Sequence, residues 1–329
     1  MLHKTPSGEA AALISNIQKY TIHDGPGIRT ALFFTGCTLR CLWCSNPETI
    51  EPRQRLGFYP SKCLTLERCS ACVKVCPSAE IIRFDTDGRV QGAVSSERCA
   101  DCFECAEVCP PRAIKVWGQY MTVPEMMHVI AEDRSFYNRT GGGVTLNGGE
   151  VILQWEIASE LLRQCKSAGI HTCVESALHV PWEHAAAVFE HTDFIIADIK
   201  HMDTEKHQQI TGAGNELILA NLKKTAQLGK PLVLRTPIVP GYNADEASTR
   251  KTAEFIRDEL HGSITAYQLL PYRKMGTEKY ESLGNAYPIE DYEPPELYAR
   301  EVELHRLAEL LRREYGIPAV VGADEKLER

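Results

Sequence analysis

Three features are missing from this chain, and each absence removes a class. No apolar run is long enough to cross a bilayer, so a helical membrane span is not expected. There is no basic surplus: the 329 residues carry a formal net charge of −8, whereas a nucleic-acid surface calls for a basic face. Residues 1–15 lack the charged start and apolar core of a secretory signal, so the expected compartment is the cytoplasm. What is left is an ordinary globular composition, 43% hydrophobic, with length for one large domain and a small one.

Cysteine, by contrast, is abundant. Eleven of the thirteen cysteines lie between Cys37 and Cys109, in tight repeats. Neighbouring cysteines in C-x2-C do not staple distant parts of a fold, and without a secretory signal a disulfide framework gives way to metal ligation in a reducing compartment. Cys165, on an expected helix, and Cys173, on an expected strand, stand apart as packed core thiols.

The first repeat is Gly36-Cys37-Thr38-Leu39-Arg40-Cys41-Leu42-Trp43-Cys44, directly after an expected strand at 31–35. A [4Fe-4S] cube has four irons, each favouring a soft thiolate; three thiolates hold the cube and leave one iron open. An open iron binds a small chelating molecule and passes it an electron, while a closed four-cysteine site only carries electrons. By themselves the three cysteines also fit a zinc site or an ordinary ferredoxin site.

Two longer runs follow, Cys63-x5-Cys69-x2-Cys72-x3-Cys76-Pro77 and Cys99-x2-Cys102-x2-Cys105-x3-Cys109-Pro110. The second matches the bacterial ferredoxin run C-x2-C-x2-C-x3-C-P, and the first differs only in its opening gap. In two-cluster ferredoxins the last cysteine of each run serves the other cluster. That predicts one cluster on Cys63, Cys69, Cys72 and Cys109, and another on Cys99, Cys102, Cys105 and Cys76. A pair of zinc ribbons is the alternative, but it does not call for four cysteines so compressed, twice, each closed by proline.

Outside this cysteine-rich segment, about 51–114, strands and helices alternate. Thr122 and Glu125 form a capping-box start for a helix reaching about Asp133. Strands are expected at 144–146, 171–175, 194–199, 231–235, 264–270 and 319–321. Helices are expected at 155–168, 181–190, 215–228, 245–260 and 295–315. Counting from Ala31, about six strands alternate with helices, a parallel α/β layout, though periodicity does not say whether the sheet closes. Residues 1–15 are expected as a mobile end before a short strand at 17–20. The division is then 1–50, the insert 51–114, and 115–329.

The Cys37–Cys44 stretch, with Trp43 before its third cysteine, resembles the signature of the radical S-adenosylmethionine (SAM) enzymes. The lead-in Ile22-His23-Asp24-Gly25-Pro26-Gly27-Ile28-Arg29-Thr30 resembles the opening of the glycyl radical enzyme activating enzymes. The similarity runs from about Ile17 to Tyr315, through several motifs in order. It implies an α/β fold, an incomplete (β/α)6 TIM-like barrel with an inserted ferredoxin-like domain, and three [4Fe-4S] clusters in all. The implied reaction is reductive cleavage of SAM to methionine and a 5′-deoxyadenosyl radical, which takes hydrogen from a glycine Cα of a partner glycyl radical enzyme. The implied electron donor is a ferredoxin or flavodoxin.

The resemblance also implies site residues. Gly148, Gly149 and Glu150 match the family's Gly-Gly-Glu at the amino group of SAM's methionine, with Asn147 and Val151 departing from the usual Ser-Gly-Gly-Glu-Pro. Glu175 and Ser176 match an acidic–hydroxyl pair beside SAM. Asp24 and Glu175 match a shared monovalent-cation site of some relatives, with two solvated carboxylates as the alternative. Asp198 and Lys200 fall at the SAM and peptide pocket, and Arg235 matches a strand-end arginine. Arg273 stands where relatives carry histidine; it holds its proton, so it is expected as a polar contact and not as an acid–base group. Lys279-Tyr280-x2-Leu283-Gly284 also fits the family pattern. A radical SAM enzyme acting on another peptide or a small molecule is disfavoured by the lead-in. In an electron-transfer polyferredoxin the motifs from Gly148 to Arg235 would have no purpose. Two extra clusters favour the activators of choline lyase, glycerol dehydratase, hydroxyproline dehydratase, sulfonate lyase and arylacetate decarboxylase over the minimal pyruvate formate-lyase activator.

Overall fold

The computed structural model describes residues 3–5, 8–78, 81–91, 98–289 and 297–323. A 10-stranded sheet organises them. Its parallel part runs in chain order: β2 (Arg29–Phe34), β3 (Gly143–Gly148), β4 (His171–Ser176), β5 (Phe194–Asp198), β6 (Leu232–Ile238), β7 (Ala266–Pro271) and β8 (Ala319–Val321). A long strand β1 (Ala10–Thr21) lies antiparallel to β2, and the short strands His3–Lys4 and Gln119–Met121 pair with β1. Among the described residues no pairing joins the β8 end to the β1 end, so the sheet stays open.

Strands buried on both faces need apolar residues at most positions, as in Phe194-Ile195-Ile196-Ala197 and Leu232-Val233-Leu234. Alternation then sorts them. Leu32, Leu146, Val174, Ile195, Ala197, Leu234 and Leu269 face the main core. Helices Trp155–Ser167, Trp182–Glu190, Glu216–Ala226 and Leu297–Tyr315 contribute Leu161, Phe189, Leu222 and Leu311 to that same core. The opposite face starts apolar at the N-terminal ends of the strands, with Cys173, Ile196, Val233 and Ala266. It turns polar at the C-terminal ends.

Several elements differ from the sequence expectation. Residues 10–15 are not a loose end before a short strand but the first half of a long one. The apolar run Ala11-Ala12-Leu13-Ile14 is buried in β1, and Gln154 bridges Leu13 (2.9 and 3.3 Å) and Thr35 (2.8 Å) across the sheet edge. Met1, Leu2, Pro6 and Ser7 lie outside the described residues, as does the expected start of the last helix at Pro295. The helix beginning at Glu246 runs into a π turn at Phe255–Glu259. The cysteine-rich segment is bracketed by an antiparallel pair, Arg55–Phe58 with Ile114–Trp117. Among the described residues inside it lie short pieces: a 3-10 turn Pro60–Lys62, helices Ala71–Val75 and Glu104–Glu107, and the strand pair Arg83–Phe84 with Val90–Gln91.

Candidate functional site

The C-terminal ends of the parallel strands meet in a cavity of about 320 Å³. Alternation places Phe33, Asn147, Glu175, Asp198, Arg235, Pro237 and Leu270 on one face of six neighbouring strands, and all seven line it. Cys37, Cys41, Trp43, Cys44, Asp24, Gly148, Gly149, Ser176 and Lys200 also line it, with Asn46 and other residues of the loop after the third cysteine.

The loop carrying the three cysteines is held from several sides. Gly36 N–H donates to Thr49 (2.6 Å) and Cys37 N–H to Ile50 (3.0 Å). Arg40 N–H and Leu42 N–H donate to Thr211 (2.6 Å) and Ile210 (3.0 Å), at the end of helix Thr204–Thr211. That helix was not expected from sequence, because its surface is polar. Its signal was the N-cap Asp203, which accepts from Lys206 N–H. Two glycines are needed for packing as much as for a ligand. A Cβ on Gly149 would lie 2.2 Å from the Gly36 carbonyl, and one on Gly148 would lie 2.5 Å from the Phe34 backbone. The lead-in glycines act likewise: a Cβ on Gly27 would meet Gly142 at 2.4 Å.

The electrostatics suit a bound cationic metal centre. Burial pushes the Cys37 thiol up to about 12 and those of Cys41 and Cys44 to about 11, so these groups stay protonated until a metal supplies positive charge. Among the described residues no three His, Cys, Asp or Glu side chains converge on a point fit for one metal ion. The thiols stand around a space, as a polynuclear cluster requires. Opposite them are two ion pairs. Lys200 Nζ lies 3.2 Å from Asp198, and Arg235 lies 3.2 Å from Glu175 while donating to Gln268 (2.7 Å) and to the His23 carbonyl. Burial works against the Lys200 charge, yet the Asp198 carboxylate beside it holds its pKa above the ordinary lysine value. Burial raises Glu175, against the pull of Arg235.

Two of the residues expected beside SAM stand outside the cavity lining. The Glu150 side chain is fully buried and does not line the cavity. It accepts from Ser176 Oγ (2.8 and 3.0 Å), Ala177 N–H (3.0 Å) and Ile152 N–H (3.2 Å), tying the end of β3 to that of β4. Burial outweighs these donors and pushes its carboxyl up to about 7. Arg273 is exposed and outside the wall, because the chain leaves the sheet at Pro271. Of the expected Asp24–Glu175 pair, Glu175 is charge-paired with Arg235. Asn147, noted only as a departure, lines the cavity with its Oδ1 buried and without a protein partner.

The insert holds two smaller cavities. Cys63, Cys69, Cys72 and Cys109 surround one, with Phe84, Val90 and Ile114; Cys76, Cys99, Cys102 and Cys105 surround the other, with Leu56, Ile81 and Ile82. The last cysteine of each run thus sits with the other run. Burial pushes Cys105 up to about 12 and raises Cys72 and Cys99. All thirteen cysteines are free thiols, and Cys165 and Cys173 are packed in apolar clusters.

The Radical SAM superfamily model matches residues 100–253, and the 4Fe-4S dicluster domain model matches residues 51–113. Parallel sheet and cysteine sets together define an iron–sulfur protein of the radical SAM class. A (2S)-3-sulfopropanediol dehydratase activating enzyme of Klebsiella oxytoca is 43% identical over 99% of this chain and 100% of its own length. An isethionate sulfite-lyase activating enzyme of Desulfovibrio desulfuricans is 40% identical over 84% of this chain and 88% of its own. A choline trimethylamine-lyase activating enzyme of Oleidesulfovibrio alaskensis is 40% identical over 95% and 98%. The chain belongs to the glycyl radical enzyme activating enzymes. It is an oxidoreductase that cleaves SAM reductively and generates a glycyl radical on a partner glycyl radical enzyme.

Proposed function

We propose that Cys37, Cys41 and Cys44 hold a [4Fe-4S] cluster with one open iron, and that SAM occupies the adjoining cavity. The observation that carries this is the convergence of three thiols with side chains from six strand ends on one space. When bound, the cluster supplies the electron that reduces the SAM sulfonium. The protein's part is binding and orientation. Gly148 and Gly149 let the backbone approach the methionine end of SAM. The Lys200–Asp198 and Arg235–Glu175 pairs present cations and acceptors of fixed direction, Trp43 and Ser176 wall the cavity, and Glu150 holds the loop from behind through its bonds from Ser176 and Ala177. No protein base is required.

The two insert cavities each take a further [4Fe-4S] cluster, three in all, on the crossed cysteine sets. Residues 51–114 then form a ferredoxin-like two-cluster domain set into an incomplete (β/α)6 barrel, in a cytoplasmic protein that takes electrons from a ferredoxin or flavodoxin. Among the described residues no helix is long and apolar enough to cross a membrane. The partner belongs to the group of glycyl radical enzymes whose activators carry two extra clusters, and a (2S)-3-sulfopropanediol dehydratase is the first to try. Anaerobic reconstitution tests the site: about twelve irons per chain and one cluster resonance that changes on adding SAM are expected. About eight irons and no response to SAM would overturn it. A glycyl radical signal on the sulfopropanediol dehydratase, absent from the choline lyase, would identify the partner; the reverse would refute that choice.

A further inference from the structure

One buried charge near the cluster loop has no part in the scheme above. Glu48 lies four residues after Cys44, in the buried turn Pro47–Thr49, and is 2% exposed. Its Oε1 accepts from Lys279 Nζ at 2.7 Å, while its Oε2 is buried without a hydrogen-bond partner. Lys279 also donates to Asn46 Oδ1 at 2.8 Å. The same ammonium therefore holds the start and the middle of the short turn that follows the third cysteine.

Lys279 sits on the six-residue helix Thr277–Ser282, beyond the last long strand. This helix is pressed onto the cluster loop. Gly276 precedes it with φ +80°, and a Cβ there would lie 2.5 Å from the Ser45 carbonyl. Tyr280 is buried in an aromatic group with Trp43, Tyr272 and Tyr287, edge-on to Tyr287 at 5.2 Å. On its other side the helix meets the strand pair that closes the insert, with Leu283 packed on Tyr59 and Trp117. Lys115 lies 3.6 Å from the Trp117 ring and Lys279 lies 5.9 Å from it. Cluster loop, insert and final segment meet at this one ion pair.

We propose that Lys279 is a positioning residue for the Cys37–Cys44 site, whose ammonium neutralises Glu48 and thereby sets the reduction potential of the cluster held there. The proposal rests on the three-cysteine cluster reading. The physical reason is the low dielectric around the loop. A buried, uncompensated carboxylate makes it harder to add an electron to a neighbouring group, and little water is present to screen it. Lys279 cancels this field while fixing the turn.

The test is an anaerobic redox titration of the reconstituted full chain, following the SAM-responsive cluster resonance, with iron counted in each sample. Lys279→Met is expected to shift the midpoint potential of that cluster to more negative values, and Lys279→Arg to leave it near wild type. Glu48→Gln removes the negative charge without changing shape, and is expected to shift the potential in the opposite direction. A purely structural joint would not give shifts of opposite sign. Wild-type potentials in Lys279→Met and Glu48→Gln at full iron content, or shifts of the same sign, would overturn the proposal. Should Lys279→Met fail to fold, Glu48→Gln decides alone: an upward shift supports the proposal and none overturns it. A wild-type chain with no SAM-responsive resonance would overturn the underlying cluster reading, a failure distinct from unshifted potentials.

Discussion

The barrel-like body and the insert both gather cysteines around a cavity, but they do so by different means. In the body, three thiols hang from a loop braced by strands, helices and a buried turn, and the facing wall carries Asp198, Lys200, Glu175 and Arg235. In the insert, four thiols close each of two small cavities lined by Ile, Leu, Val and Phe, with no charged side chain in either wall among the described residues. The first arrangement leaves room and polarity for a second molecule beside a cluster; the second surrounds its contents. The energetic footing differs as well. The body has an extensive core of fully buried side chains from both strands and helices. The insert has Phe58, Ile81, Ile82, Val90, Ala113 and Ile114 around Cys105, joined by strands of two to four residues. A unit with so small a core is expected to depend on bound metal for folding.

The sharpest way to break this comparison is in activity. Cys41→Ala is expected to reduce glycyl radical formation to background and to remove about four irons per chain, while the insert keeps about eight. Loss of all twelve irons would show that the two regions are not independent. Next comes folding. In the iron-free chain, amide protection at 55–58 and 114–117 is expected to fall by at least about 100-fold, with the strands of the body unaffected, as measured by hydrogen exchange. Equal loss in both regions would remove the contrast.

Two smaller effects lie within the body. Burial lifts the Glu150 carboxyl from its ordinary 4.5 to about 7, so the native state favours the protonated form. Wild-type stability relative to Glu150→Gln should therefore fall as pH rises from about 4.5 to 7 and level off above. The total is about 3 kcal/mol at about 1.4 kcal/mol per pKa unit, read from urea unfolding at a series of pH values. A difference that rises with pH would contradict the sign. Thr122→Ala removes the side-chain cap of helix Val123–Glu132 and is expected to cost about 1 kcal/mol, seen as a small drop in melting temperature with unchanged iron content.

Much of the molecule was legible in its residues because the signals were local. Cysteine spacing is local chemistry, and it marked the three-cysteine loop and the two longer runs; the ferredoxin pattern they match placed Cys109 with the first run and Cys76 with the second, as the two cavities do. The alternating strands and helices and the Thr122 capping box were legible for the same reason, since periodicity and caps involve residues a few positions apart. The strand Ala10–Thr21 was missed in length because its apolar start gains its partner only from β2 and Gln154, distant in sequence. Helix Thr204–Thr211 escaped because it has little apolar face, and its importance lies in two carbonyls that it offers to the cluster loop.

What residues alone determined here is chemistry: soft ligands in metal-binding intervals, glycines where backbones must touch, and a parallel α/β layout. What only the tertiary structure decided is adjacency. Register places Asp198 opposite Arg235 and Arg235 opposite Gln268, joining residues from three strands into one polar wall. Packing turned Glu150 away from the cavity and left Arg273 outside it. The physical reason is that side-chain direction depends on which strands pair and in what register, and a shift of one residue reverses every face. That is a property of contacts between segments far apart in the chain, so no local pattern contains it.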